Sequence, residues 1–110
     1  MKRVMWIEDK STGLAGPARI GWVEIRNGGT KLVYKGQTFL SLRGRGFKAN
    51  YYDVETKAEY WISGCHRDGM DALYNTTVEV DDDALEEYWV RIRKRPEDVG
   101  VRKFRARGKH

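Results

Sequence analysis

Apolar positions along the chain come in short runs broken by turn residues, a pattern of strands. Residues 1–8 read as a strand, and the loop 11–17 after them is rich in small residues and glycine. Residues 18–26 and 31–35 are β-prone runs on either side of Asn27-Gly28-Gly29-Thr30, whose Asn-Gly tolerates the positive φ of a tight turn, so a hairpin is predicted here. In its first strand Ile20 and Trp22 point to one face and Val23 and Ile25 to the other, as when a strand bends around a barrel corner. A short strand over 37–42 leads into the glycine-bearing loop Arg43-Gly44-Arg45-Gly46-Phe47-Lys48. Residues 50–54 and 58–63 form a second hairpin, with Tyr51, Tyr52, Tyr60 and Trp61 available for cross-strand packing. The stretch 64–76 is irregular, and 77–80 can close the sheet.

The period then changes. Asp81-Asp82-Asp83 supplies N-cap residues and early negative charge for a helix over about 82–94. Leu85, Trp89 and Ile92 make its apolar stripe with Tyr88 beside it, and Pro96 ends it. A helix that follows a small β-domain is expected to pack that stripe on the sheet, with a protein-docking role for Tyr88 and Trp89 as the alternative. The predicted fold class is mainly β: a small SH3-like or OB-like antiparallel barrel or rolled sheet with one C-terminal α-helix, in a single domain over residues 1–95. Residues 96–110 have few apolar anchors and are expected to form a basic tail, disordered unless a partner orders it.

Composition agrees with one folded unit: 110 residues, 40% of them hydrophobic, with four Trp, six Tyr and three Phe. No apolar run approaches the ~20 residues that cross a bilayer, and the first residues lack the apolar core of a signal peptide, so no membrane association and a cytoplasmic location are expected. One cysteine, Cys65, and two histidines cannot supply a four-ligand zinc set, and no cofactor or metal is expected. The net charge of +5 conceals a segregation. Residues 1–48 carry ten Lys/Arg against three Asp/Glu, residues 49–90 two against eleven, and residues 91–110 nine against two.

That segregation directs attention to two cationic segments. Arg43, Arg45, Lys48 and nearby Lys35 stand among Tyr34, Phe39, Phe47, Tyr51 and Tyr52, and phosphates attract cations while unstacked bases attract aromatic faces. The competing reading makes the aromatics core and the cations a solvated loop. In the tail, Arg102, Lys103, Arg105, Arg107 and Lys109 would add long-range attraction to RNA, DNA or another anionic surface, or would match the acidic stretch 81–87. A third cluster runs from Trp61 through Cys65-His66 to Asp68 and Asp71. Neighbours on an extended chain point to opposite sides, so Cys65 and His66 are not expected to form a nucleophile–base pair, and no catalytic residue is assigned. Asp68-Gly69-Met70-Asp71 lacks the alternating donors of a calcium loop and reads as a turn held by Asp side chains.

The order Trp6-Ile7-Glu8-Asp9-Lys10, Ala18-Arg19-Ile20-Gly21, residues 34–36, 39–51 and 60–65, and Asp68-Gly69 resembles a set of short bacterial proteins of uncharacterised function. Some of these carry an automated name as 1-deoxy-D-xylulose-5-phosphate synthase. The resemblance spans about residues 5–89, is most specific over 44–52 and 60–71, and implies no catalytic residues. The enzyme name does not fit the chain, because such a synthase houses thiamine diphosphate, a metal and a sugar-phosphate pocket between large α/β domains. Neither the asparagine spacing of a thiamine-diphosphate motif after Asp68-Gly69 nor a glycine-rich phosphate loop is present.

The leading expectation is therefore a small non-enzymatic binding module that contacts RNA or DNA through Lys35, Arg43, Arg45, Phe47 and Lys48, with Arg102, Lys103, Arg105 and Arg107 of the tail. The alternative is a protein-interaction module using the acidic middle and the aromatics. A small enzyme built around Cys65 and His66 is a third.

Overall fold

The computed structural model describes residues 1–109. Its strands are β1 (Lys2–Asp9), β2 (Ala18–Arg26), β3 (Lys31–Tyr34), β4 (Gln37–Ser41), β5 (Tyr51–Asp53), β6 (Glu59–Gly64), β7 (Thr76–Val80) and β8 (Lys103–Ala106). Antiparallel pairing runs from β1 through β2, β3, β4, β5 and β6 and returns to β1, so the first six strands close a barrel. The expected small antiparallel barrel is present. At two of its tight corners Asn and Gly, which tolerate positive φ, fill every such position but Lys35. Asn27, Gly28 and Gly29 all have positive φ between β2 and β3, and Lys35-Gly36 makes the two-residue turn from β3 to β4.

Strand β2 organises the rest. One edge pairs with β1 from Ala18 to Glu24, while the other is shared between two neighbours. Residues 18–20 pair in parallel with 78–80 of β7, and residues 24–26 pair antiparallel with 31–33 of β3. Gly21 stands at that fork, where a Cβ would collide with the Asp81 carboxylate and the Tyr34 ring. Asp81 there accepts from Arg19 Nη2 at 2.6 Å and Tyr34 Oη at 2.7 Å, and pairs with Lys35 Nζ at 3.2 Å. Burial, and then Asp81 itself, push the Tyr34 hydroxyl pKa up. The hydroxyl thus stays a donor, fastening the start of the helical segment to the barrel wall.

Two cores lie on opposite faces of the same strands. Met5, Ile7, Val23, Leu32, Tyr34, Phe39 and Ile62 fill the barrel. Val4, Trp6, Ala18 and Ile20 point outward and are covered by Val78, Val80, Leu85, Tyr88, Trp89 and Ala106. The apolar character of both faces of β2 therefore reflects a second layer over the barrel more than a bend in the strand.

The helix carries its stripe inward as expected, with Tyr88 and Trp89 buried, but it is shorter and less regular than an α-helix over 82–94. A 3₁₀ turn, Asp82–Ala84, leads into a π-type segment, Glu87–Ile92, in which the Arg93 N–H reaches the Tyr88 carbonyl at 2.9 Å. Lys94, at φ 56°, has already left the helix.

The larger correction concerns residues 96–110. Pro96–Asp98 forms a 3₁₀ turn, and β8 adds antiparallel to β7 with Thr76 opposite Ala106. A few anchors suffice because they meet a ready surface. Phe104 stacks on Tyr88 and packs against Trp89, whose indole N–H donates to the Val101 carbonyl at 2.9 Å. His110, the end of the expected tail, lies outside the described residues.

Candidate nucleic-acid interface

The loop between β4 and β5 is fixed at its base and free at its tip. The Leu42 N–H bonds the Asn50 carbonyl at 3.0 Å, and Asn50 behaves as an extra rung of sheet, its side chain exchanging two 2.8 Å hydrogen bonds with the Ile62 backbone. Arg43 and Gly44 turn the chain with φ of 53° and 80°, and Ala49 is buried. Between these anchors Arg43, Arg45 and Phe47 are exposed and Lys48 is half-buried, and Phe47 is 97% exposed. Leaving a phenylalanine in water forgoes about 1.5–3 kcal/mol that burial would supply.

Phe47 and Lys48 wall a cleft of about 320 Å³. Its second wall is β6, where period-two alternation sends Ile62 into the barrel and Trp61 and Ser63 outward, the indole N–H donating to Ser63 Oγ at 3.2 Å. Its third is the loop 65–75, which contributes His66, Asp71 and Leu73, and Lys109 closes the rim. Lys109 is held there by its N–H on the Ala72 carbonyl and by Gly108, whose N–H bonds Asn75 Oδ1 at 2.7 Å. Trp61 and Leu73 are 39% and 44% exposed, so three of the protein's exposed large apolar side chains face one cleft.

The floor is a buried ion pair. Glu8, 2% exposed, holds Lys10 Nζ at 2.9 Å and accepts from the Trp6 indole and the Gly16 N–H, leaving neither oxygen free. Asp71 differs: Oδ1 accepts the His66 backbone N–H at 2.9 Å, whereas buried Oδ2 has no partner. Burial raises the Asp71 carboxyl pKa, and the His66 N–H only partly opposes it.

The nine residues expected to contact nucleic acid are dispersed. Phe47 and Lys48 line the cleft, and Arg43 and Arg45 stand exposed on the same loop. Lys35 is held at Asp81, and Arg102 pairs with Asp82 at 2.7 Å, so both sit on the acidic side of the molecule. Lys103 and Arg105 project from β8 and Arg107 follows them, all exposed. The sequence groups Trp61, His66 and Asp71 in a separate cluster, and nothing local in the chain joins them to the 43–48 loop. The alternation of β6 could have marked Trp61 as outward.

Cys65 and His66 part company as expected. Cys65 packs against the core under the helix and borders a different cavity with Arg3 and Trp22, while His66 faces the cleft. Burial, then the nearby Asp71 charge, push the Cys65 thiol pKa up, away from a nucleophilic thiolate. The Asp68 turn forms as expected, its carboxylate accepting the Met70 N–H at 2.9 Å. Among the described residues no group of His, Cys, Asp and Glu is arranged to hold a metal ion, and no helix is long and apolar enough to cross a membrane. No family model, curated protein or solved structure matches the chain.

Proposed function

We propose that the protein is a binding module for single-stranded nucleic acid, taking a base into the cleft between Phe47 and Trp61. The observation that carries this reading is the exposed Phe47 standing with Trp61 on a cleft rimmed by Lys48 and Lys109. A π-face beside cations suits a base with its phosphate and tolerates different sequences, because every base offers a ring to stack. A cleft of about 320 Å³ lies at the small end of ligand sites, and Arg43 and Arg45 add positive charge on the approach. The acidic middle is a weaker candidate for a partner surface, since Asp81 and Asp82 are engaged by Arg19, Lys35 and Arg102. The single free thiol of Cys65 suits a reducing, cytoplasmic setting.

Fluorescence-anisotropy titration with short single-stranded RNA and DNA tests the reading. Phe47→Ala and Trp61→Ala should each weaken binding by about 1–3 kcal/mol, and Arg45→Glu should weaken it across sequences. Folded Phe47→Ala and Trp61→Ala proteins that keep full affinity would sink it.

A further inference from the structure

A second concavity, of about 350 Å³, lies between the end of the helix and β8. Among the described residues, four arginines line it, Arg93, Arg95, Arg105 and Arg107, against one carboxylate, Asp98. That carboxylate is taken, since Arg95 Nε holds Asp98 Oδ2 at 2.7 Å. Among the described residues, Arg105 finds only the Thr77 hydroxyl, at 3.2 Å, and Arg107 has neither an ion pair nor a side-chain hydrogen bond. Arg93 lies over the Tyr88 and Trp89 rings and bonds the Tyr88 hydroxyl at 3.2 Å, yet its buried Nε has no partner. The fold makes room for it: Gly69, at φ +75°, is the place where any Cβ would strike this guanidinium.

Like charges gathered in one groove repel, and a buried N–H left unbonded costs free energy. An anion with several acceptor oxygens relieves the repulsion, and guanidinium forks match the oxygens of phosphate. We propose that this groove binds phosphate, and that its source is the backbone of the same nucleic-acid strand whose base enters the cleft. The identification of the source rests on the function proposed above. The geometry supports continuity between the two places. The chain from Arg105 to Lys109 runs from groove to cleft, four residues that span at most about 13 Å. Arg105, Arg107 and Lys109 are all exposed along it, while Ala106 is buried. The loop 65–75 flanks the same path, with Gly69 at the groove and Asp71 and Leu73 at the cleft.

The test compares wild type, Arg105→Glu/Arg107→Glu and Phe47→Ala, using labelled single-stranded RNA of graded length and, in a separate arm, inorganic pyrophosphate followed through arginine side-chain resonances by NMR. Both reversed side chains are exposed, and near-ultraviolet circular dichroism checks that the variant is folded. For a strand well beyond about four nucleotides, the reversal should weaken binding at least roughly tenfold and flatten the dependence of log affinity on log salt by about 1.4, two phosphates at ~0.7 each. Unchanged affinity and slope, with Phe47→Ala still impaired, would overturn the groove and leave the cleft standing. If no RNA binds wild type, the function proposed above fails and pyrophosphate decides: shifts of the groove arginines that vanish in the reversal keep a phosphate site with another source, and unmoved resonances overturn it.

Discussion

Asp71 shows how one side chain joins stability to the candidate site. Its Oδ1 holds the loop through the His66 N–H, while Oδ2 is buried without a partner, so the charged form is penalised and the carboxyl pKa is raised above the ordinary 3.8. A carboxyl raised in the folded state binds protons more tightly there than in the unfolded chain. Its charge therefore erodes stability as pH climbs from about 3.8 through the raised folded value, and the penalty is full above that value. Asp71→Asn keeps an acceptor for His66 and removes the charge. Urea unfolding of the two proteins across pH should find the variant more stable at neutral pH, with the difference shrinking as pH falls toward 4. A difference independent of pH would show that the Asp71 charge is not what the burial opposes. Gly21 makes the complementary point: the absence of one carbon there lets Tyr34 and Asp81 meet across the β2 fork.

At the level of elements, β8 is where local sequence and tertiary structure diverge. Phe104 is one partly buried ring on a four-residue strand, and its truncation to Ala should cost about 2–3 kcal/mol, below the 3–5 of a fully buried aromatic, because it stacks on Tyr88 and packs on Trp89. Chemical denaturation measures this, and a change under ~0.5 kcal/mol would mean the strand is not held by that ring. The hairpins were legible from the sequence because period-two alternation and Asn-Gly chemistry are local. The helix stripe was legible for the same reason, though the drift from 3₁₀ to π winding was not, since a stripe of apolar positions marks the buried face and leaves the winding open. Strand β8 is not legible in the sequence because its inward positions, Phe104 and Ala106, are too few to form a pattern. What they pack against comes from elements remote in sequence. The cleft is not legible for a related reason: Phe47, Trp61, Asp71 and Lys109 are brought together by the closure of β6 on β1 and by the docking of the chain end on Ala72.

Across the whole molecule, the basic, acidic and basic segments do not remain three separate fields. Folding joins part of the positive charge to the acidic segment: Arg19 to Glu79 and Asp81, Lys35 to Asp81, and Arg102 to Asp82. Of what is left over, Arg43, Arg45 and Lys48 stand on the 43–48 loop, Lys109 at the cleft rim, and Lys103, Arg105 and Arg107 on the C-terminal segment. Net charge and the location of charge therefore make different predictions. Arg45→Glu, Lys48→Glu and Arg102→Glu each lower the formal charge from +5 to +3. If attraction to a polyanion followed the total, the three would weaken binding alike, since long-range steering responds to the whole distribution. If it follows the cleft, Arg45→Glu and Lys48→Glu should lose affinity while Arg102→Glu, beside Asp82 on the acidic side, stays within about twofold of wild type near physiological salt, where the Debye length is about 8 Å. Anisotropy titrations of the three variants with one RNA decide between them. Equal losses would reduce the interaction to nonspecific charge, whereas the unequal result would locate it on the face that carries Phe47 and Trp61.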